Sequence, residues 1–152
     1  MASDLGKTTL LERLIPVLKE RGLRVCVMKH DAHEFEVDRV GKDSWRMTRA
    51  GADVTILTNG AHAAILENRP VTAEALLEQV HDVDLVLTEG YKHGLWKKIA
   101  LYRAAVGKPF PCALEECIAV VTDTPIADCP VPCLGFEEIE ALADRIEEEI
   151  GR

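Results

Sequence analysis

Gly6, Lys7, Thr8 and Thr9 stand in a row near the start of the chain, followed at once by leucines and isoleucines at helical spacing. In this order they form the second half of the pattern G-x4-G-K-[ST]. There, backbone N–H groups at a helix start cradle phosphates, the lysine bridges the outer two and the hydroxyl holds Mg²⁺. Lys7 and Thr8 are the candidates for the last two roles; the bland alternative is a plain capped helix. Counting back from Gly6, the first glycine of the pattern falls at position 1, which is Met1. The pattern therefore expects a strand and a glycine, roughly ten residues in all, ahead of Met1.

Three further groups could share that chemistry. The run Asp84 to Thr88 is nearly all apolar and leads straight into Glu89-Gly90-Tyr91-Lys92. A carboxylate at the end of a buried apolar strand is where a phosphate-loop protein keeps the acid that orients Mg²⁺ or its water shell. Glu89 is the candidate, against a loop glutamate that merely meets solvent. Lys29-His30-Asp31-Ala32-His33 closes another strand and belongs on the same rim of a parallel sheet. His30 and His33 could ligate a metal and Asp31 could meet Mg²⁺ or a nucleophilic water; contact with the nucleotide or a second substrate is the competing role, and polar surface the bland one. Between Glu89 and Glu115 there is no acid, whereas Lys92, Lys97, Lys98, Arg103 and Lys108 supply five positive charges, a segment suited to a phosphorylated ligand or an acidic partner. Tyr91 and Trp96 could stack on a planar ring or pack in a core or at an edge.

Positioning these groups requires alternating helices and strands. The spacing predicts a helix from Lys7 to Gly22, with a kink near Pro16, and strands at Arg24–Lys29, Asp84–Thr88, Lys98–Arg103 and Cys117–Thr122. A helix over Lys42–Ala50 aligns Lys42, Arg46 and Arg49 on one face. Two short runs around Asn59-Gly60 read as a β-hairpin, Asp53–Leu57 with His62–Leu66. Thr72 caps a helix through His81 with Leu76, Leu77 and Val80 as its buried stripe, and an amphipathic helix follows from Phe136 to Ile150. The class is α/β: a mostly parallel sheet in a three-layer sandwich of phosphate-loop type, helices on both faces, the first strand missing from the chain as given.

At 152 residues and 47% hydrophobic composition the chain suits one domain spanning 1–152. No apolar run of about 20 residues and no signal-peptide layout appear, so the expectation is a cytoplasmic protein without a membrane span. A formal charge of −8 argues against general nucleic-acid binding. The five cysteines, Cys26, Cys112, Cys117, Cys129 and Cys133, read as free thiols, although the spacings C-x4-C and C-x3-C of the last four could supply a soft metal site.

Taken together, GKTTLLERLIP, K-H-D-A-H-E-F, the D-x-x-G-K-D from Asp38 to Asp43, the R-x3-A-G-A from Arg46, L-V-L-T-E-G-Y-K and V-T-D-T-P resemble one family over nearly the whole chain. It is the molybdopterin-guanine dinucleotide biosynthesis accessory protein B family, MobB. The resemblance implies a homodimeric GTP-binding protein, at most a weak GTPase, that assists the guanylyltransferase attaching GMP to molybdopterin. It implies GTP and Mg²⁺ as ligands, with molybdopterin a further candidate, and the guanylyltransferase and apo-molybdoenzymes as partners. On matching positions Gly6, Lys7, Thr8 and Thr9 would bind phosphates, Glu89 would sit near the metal, and Asp123 would read guanine by accepting its N1 and N2 protons. Catalytic residues stay unassigned. A non-catalytic adaptor bridging guanylyltransferase and apo-molybdoenzyme is the alternative, and a small-molecule kinase with Asp31 as its base is a third reading.

Overall fold

The computed structural model describes residues 6–30, 35–91 and 93–152. Two compact units make up the chain, Met1–His30 with Asp82–Arg152, and Asp31–His81.

In the first unit, helix α1 (Lys7–Glu20) runs on through Pro16 and buries Leu10, Leu14 and Leu18, a stripe at i, i+4 and i+8. It stops because Gly22 adopts φ 83°, which lets the Gly22 and Leu23 N–H groups bond back to the carbonyls of Lys19 and Leu18. Strand β1 (Val25–Lys29) follows and pairs in parallel with β4 (Leu85–Glu89), from Val25 opposite Leu85 to Lys29 opposite Glu89. Arg24 sets this register: its backbone N–H donates to Asp84 Oδ2 at 2.8 Å and its guanidinium grips both carboxylate oxygens.

A second parallel sheet in this unit has the order β5 (Lys98–Tyr102), β6 (Cys117–Thr122), β7 (Cys133–Leu134). Every residue of β6 is buried, as expected of a central strand whose branched and apolar side chains meet cover on both faces. A bulge lets Ile118 slip between the pairs Lys98–Cys117 and Ile99–Ala119. Two consecutive residues, Ile118 and Ala119, consequently join one core, while Cys117 and Val120 join the other. The first core is α1 against α4 (Ile139–Glu149), through Leu10, Leu14 and Leu18 with Ile139, Leu142, Ala143 and Ile146. The second is closed by Phe110, Leu114, Ile126 and Val131 from the connecting segments. Arg21, in the residue that ends α1, reaches Glu140, Asp144 and Glu147 of α4 at 2.6–2.7 Å, and these bonds raise its pKa.

The second unit holds α2 (Asp43–Arg49), the antiparallel hairpin of β2 (Val54–Thr58) and β3 (Ala63–Glu67), and α3 (Ala73–Leu77). Asn59 makes the hairpin corner as its type suggests: its side-chain oxygen accepts the N–H groups of Ala61 and His62, both at 2.8 Å. The helix expected over Thr72–His81 is corrected to five residues. Thr72 does cap it, accepting from the Ala75 N–H at 3.2 Å, but after Leu77 the bonds tighten to i→i+3 from Gln79 and Val80. Its expected stripe does not form, since no residue of α3 is buried and Leu76 is exposed. The two-residue strand β7 is an addition, too short to carry a periodic signal. No helix among the described residues is long and apolar enough to cross a membrane.

Hydrogen bonds from the Arg24 side chain and then its backbone pull the Asp84 carboxyl down from 3.8 to about 2. A carboxyl depressed in the folded state stabilises above its unfolded pKa, and that contribution is lost as pH falls toward the folded value. Asp84→Asn should therefore lower the thermal midpoint near neutrality yet flatten its decline between about pH 4 and pH 2. Melting curves of both proteins across that range check the sign.

Candidate functional site

Gly6 is the N-cap of α1, held at φ 76° in the left-handed region, and its carbonyl accepts the Leu10 N–H at 2.9 Å. Among the described residues no side chain caps this helix, and its first turn holds no acid. The N–H groups of Lys7, Thr8 and Thr9 therefore have no partner inside the helix and point from its positive end. Across 81 residues of sequence, Glu89 at the end of β4 brings Oε1 to 3.5 Å from the Thr8 hydroxyl. Two hard oxygens at that spacing suit one Mg²⁺, whose ligands lie at about 2.1 Å, either directly or through its water.

The carboxylate is positioned by its neighbours. The Glu89 carbonyl accepts the His30 N–H at 2.9 Å, which extends the β1–β4 ladder by one bond past Lys29. Gly90 then turns the chain at φ 99°, and a Cβ placed on it would lie 2.8 Å from the His30 carbonyl oxygen. Only glycine fits that turn.

On the other flank stands Arg103, just past β5. Its guanidinium lies 3.7 Å over the Phe136 ring, and its Nη2 comes within 3.6 Å of where a Cβ on Gly6 would be. Phe136 is itself fixed from α1: Arg13 donates to the Phe136 carbonyl at 3.1 Å and grips both oxygens of Glu137 at 3.0 and 2.7 Å. Asp123, just past β6, is exposed and accepts the Ala104 N–H at 3.3 Å and the Thr124 hydroxyl at 3.1 Å through Oδ1. Gly6, Lys7, Thr8, Glu89, Arg103 and Asp123 thus all lie at the α1 N-terminus or at or just beyond the C-terminal ends of parallel strands, where open α/β sheets bind ligands. Phe136 was not singled out by sequence because the apolar pattern places it in the last helix; α4 instead starts at Ile139 and leaves it in the preceding loop.

The remaining candidates divide. Lys98 is engaged structurally, its ammonium donating to the Gly94 carbonyl at 2.8 Å and pairing with Glu116 at 2.8 Å. Lys97 is exposed. His30 is exposed, with its ring 5.3 Å from Tyr91, and Tyr91 meets Trp96 edge-on at 5.4 Å, so these aromatics pack on one another. Asp31, His33 and Lys92 lie outside the described residues. The cysteines are free thiols; Cys112 and Cys117 approach to 3.4 Å, and burial followed by that contact pushes the Cys117 thiol up to about 12. Among the described residues no group of three or more His, Cys, Asp or Glu is placed to hold a metal ion. In the second unit an open depression of about 800 Å³ is lined by Asp38, Lys42, Ser44, Met47, Thr55 and Ile56, among others.

Comparison with known proteins supplies independent information. The family model described as molybdopterin guanine dinucleotide synthesis protein B matches residues 1–123. A Haemophilus influenzae protein named molybdopterin-guanine dinucleotide biosynthesis adapter protein is 43% identical over 149 residues, covering 95% of this chain and 83% of that one. An Escherichia coli protein of the same name is 37% identical, covering 96% and 87%. Among solved structures, Bacillus subtilis MobB superposes with TM-score 0.77 at 23% identity over 95% of this chain and 93% of its own. A molybdopterin-guanine biosynthesis protein B superposes with TM-score 0.70 at 27% identity over 99% and 95%.

Gly90→Ala should destabilise the protein by about 1–3 kcal/mol, through a positive φ and a clash with backbone that no side-chain rotation relieves. Urea unfolding measures it, and an unchanged midpoint would contradict the close approach to His30.

Proposed function

Because the chain belongs to the molybdopterin-guanine dinucleotide biosynthesis protein B family, we propose that it binds GTP with Mg²⁺ and serves as an accessory protein in molybdopterin guanine dinucleotide formation. The observation that carries the nucleotide reading is the meeting of Thr8 and Glu89 at the N-terminus of α1. A magnesium ion held there would neutralise phosphate charge and fix the outer phosphates in place. The chain's own groups do the rest. Backbone N–H groups of Lys7, Thr8 and Thr9 donate to phosphate oxygens, the Lys7 ammonium bridges the outer phosphates, and the exposed carboxylate of Asp123 accepts the N1 and N2 protons of guanine.

Within the pathway, the relatives' name of adapter protein favours a role in bringing the guanylyltransferase, its nucleotide and the molybdoenzyme that receives the cofactor together. Hydrolysis is then a secondary property. The hairpin supports assembly with a second copy: Val54, Ile56 and Ile65 are exposed, and Ile56 and Ile65 are cross-strand partners. An apolar pair of this kind, on a face opposite the buried Thr55, is a natural contact for another hairpin. This reading places the working protein in the cytoplasm, as a homodimer.

Calorimetry with GTP and Mg²⁺ tests the proposal. Lys7→Ala should weaken binding roughly 10- to 100-fold by removing a charge-assisted contact to phosphate. Glu89→Gln should raise the Mg²⁺ concentration needed for half-maximal binding while leaving metal-free affinity unchanged. Equal GTP affinity in the wild type and the Lys7→Ala protein, or no affinity in either, would rule the site out.

A further inference from the structure

We propose that Arg103 is the residue that makes this site select guanine over adenine, its guanidinium fork meeting the O6 and N7 acceptors of the base while Asp123 takes the N1 and N2 protons. The inference rests on the GTP reading above and adds a specificity role to it.

Four observations carry it. First, the guanidinium is backed by a ring: its carbon lies 3.7 Å from the centre of Phe136, whose backbone and neighbour Glu137 are clamped to α1 by Arg13. A ring at that distance holds the guanidinium by cation–π attraction without using its N–H donors. Second, among the described residues no carboxylate or carbonyl takes those donors, whereas the arginines at 13, 21, 24, 69 and 145 each reach a carboxylate. Third, Nη2 sits beside Gly6, so whatever the fork holds adjoins the phosphate loop. Fourth, Ala104, the next residue, donates its N–H to Asp123 Oδ1, which ties the Asp123 side chain to the backbone beside Arg103. The Mg²⁺-type oxygens of Thr8 and Glu89 belong to a different pair of elements, α1 and β4.

Guanine presents two adjacent acceptors, O6 and N7, to which an arginine fork binds bidentately. Adenine presents N7 beside an amino donor, so one arm of the fork would face another donor and lose its hydrogen bond. Asp123 reads a separate edge, and its Oδ2 accepts none of the hydrogen bonds described for its Oδ1. The competing assignment is a contact to phosphate, which would carry no base preference.

Calorimetry in Mg²⁺ on the wild type, Arg103→Ala and Arg103→Lys, with GTP, 7-deaza-GTP and ATP, tests the assignment. Wild type should bind GTP more tightly than 7-deaza-GTP, which lacks the N7 acceptor. Arg103→Ala should lose about 10- to 100-fold in GTP affinity and no longer distinguish the two. Arg103→Lys should retain part of the affinity, and its ammonium in place of the fork should narrow the gap between GTP and ATP. A loss of the same size for all three nucleotides would overturn the proposal in favour of a phosphate contact; unchanged affinity would reduce Arg103 to packing on Phe136. If Arg103→Ala does not fold, the wild-type comparison of GTP with 7-deaza-GTP and the Arg103→Lys result decide. A folded wild type that binds none of the three nucleotides removes the GTP reading itself, an outcome distinct from the other two.

Discussion

The seam between α1 and α4 is the contact on which the rest of the first unit depends. Leu10, Leu14 and Leu18 meet Ile139, Leu142, Ala143 and Ile146 over the buried strand β6, and the apolar area removed from water there is the main stabilising term available to a unit of this size. Two arginines close the seam at its ends. Arg21 gathers three carboxylates of α4 near the C-terminus of α1, and Arg13 reaches the loop ahead of α4. Exposed ion pairs contribute little individually, so their part is geometric. They fix the helix against sliding, and the helix carries Gly6, Lys7 and Thr8 at its head. A slip of one turn would move that head by about 5.4 Å, beyond reach of Glu89.

Much of this was legible in the sequence, for reasons that can be given residue by residue. The glycine–lysine–threonine run before a periodic helix, the apolar strand into Glu89 and the continuous apolar run of β6 are local signals, and each survives in the structure within a residue or two. The turn at Asn59 was legible because its side chain makes the turn's own hydrogen bonds. What was not legible depends on partners remote in sequence. Phe136 looks like a helix residue until Arg103, 33 positions earlier, is seen lying over it. Gly90 looks like any loop glycine until the His30 carbonyl is found where its side chain would be. The stripe of α3 failed because periodicity states which residues share a face and not whether that face finds cover.

Charge is organised by the same division. A chain of net charge −8 repels anions at a distance, so an anionic ligand must be held by short-range donors. Arg24 and Lys98 are committed to aligning strands, through Asp84 and Glu116. Lys7 pairs with none of the described carboxylates and stands where the helix end adds its own positive field. The acidic surplus lies partly along α4, where Glu140, Asp144 and Glu147 share one guanidinium.

The parallel pairing of β1 with β4 has a consequence in time as well as in space. Arg24 and Asp84 are 60 residues apart, and the whole hairpin unit is made between them. On a ribosome adding roughly 5–20 residues per second, β1 waits about 3–12 s for its partner after it is made. During that interval its backbone donors and acceptors on the β4 side are open, a state exposed to pairing with another nascent chain. The intervening hairpin needs only local contacts and closes in microseconds. Synthesis thus delivers the hairpin while the strand that must position Glu89 still lacks β4, and chaperone demand should concentrate there rather than on either completed unit.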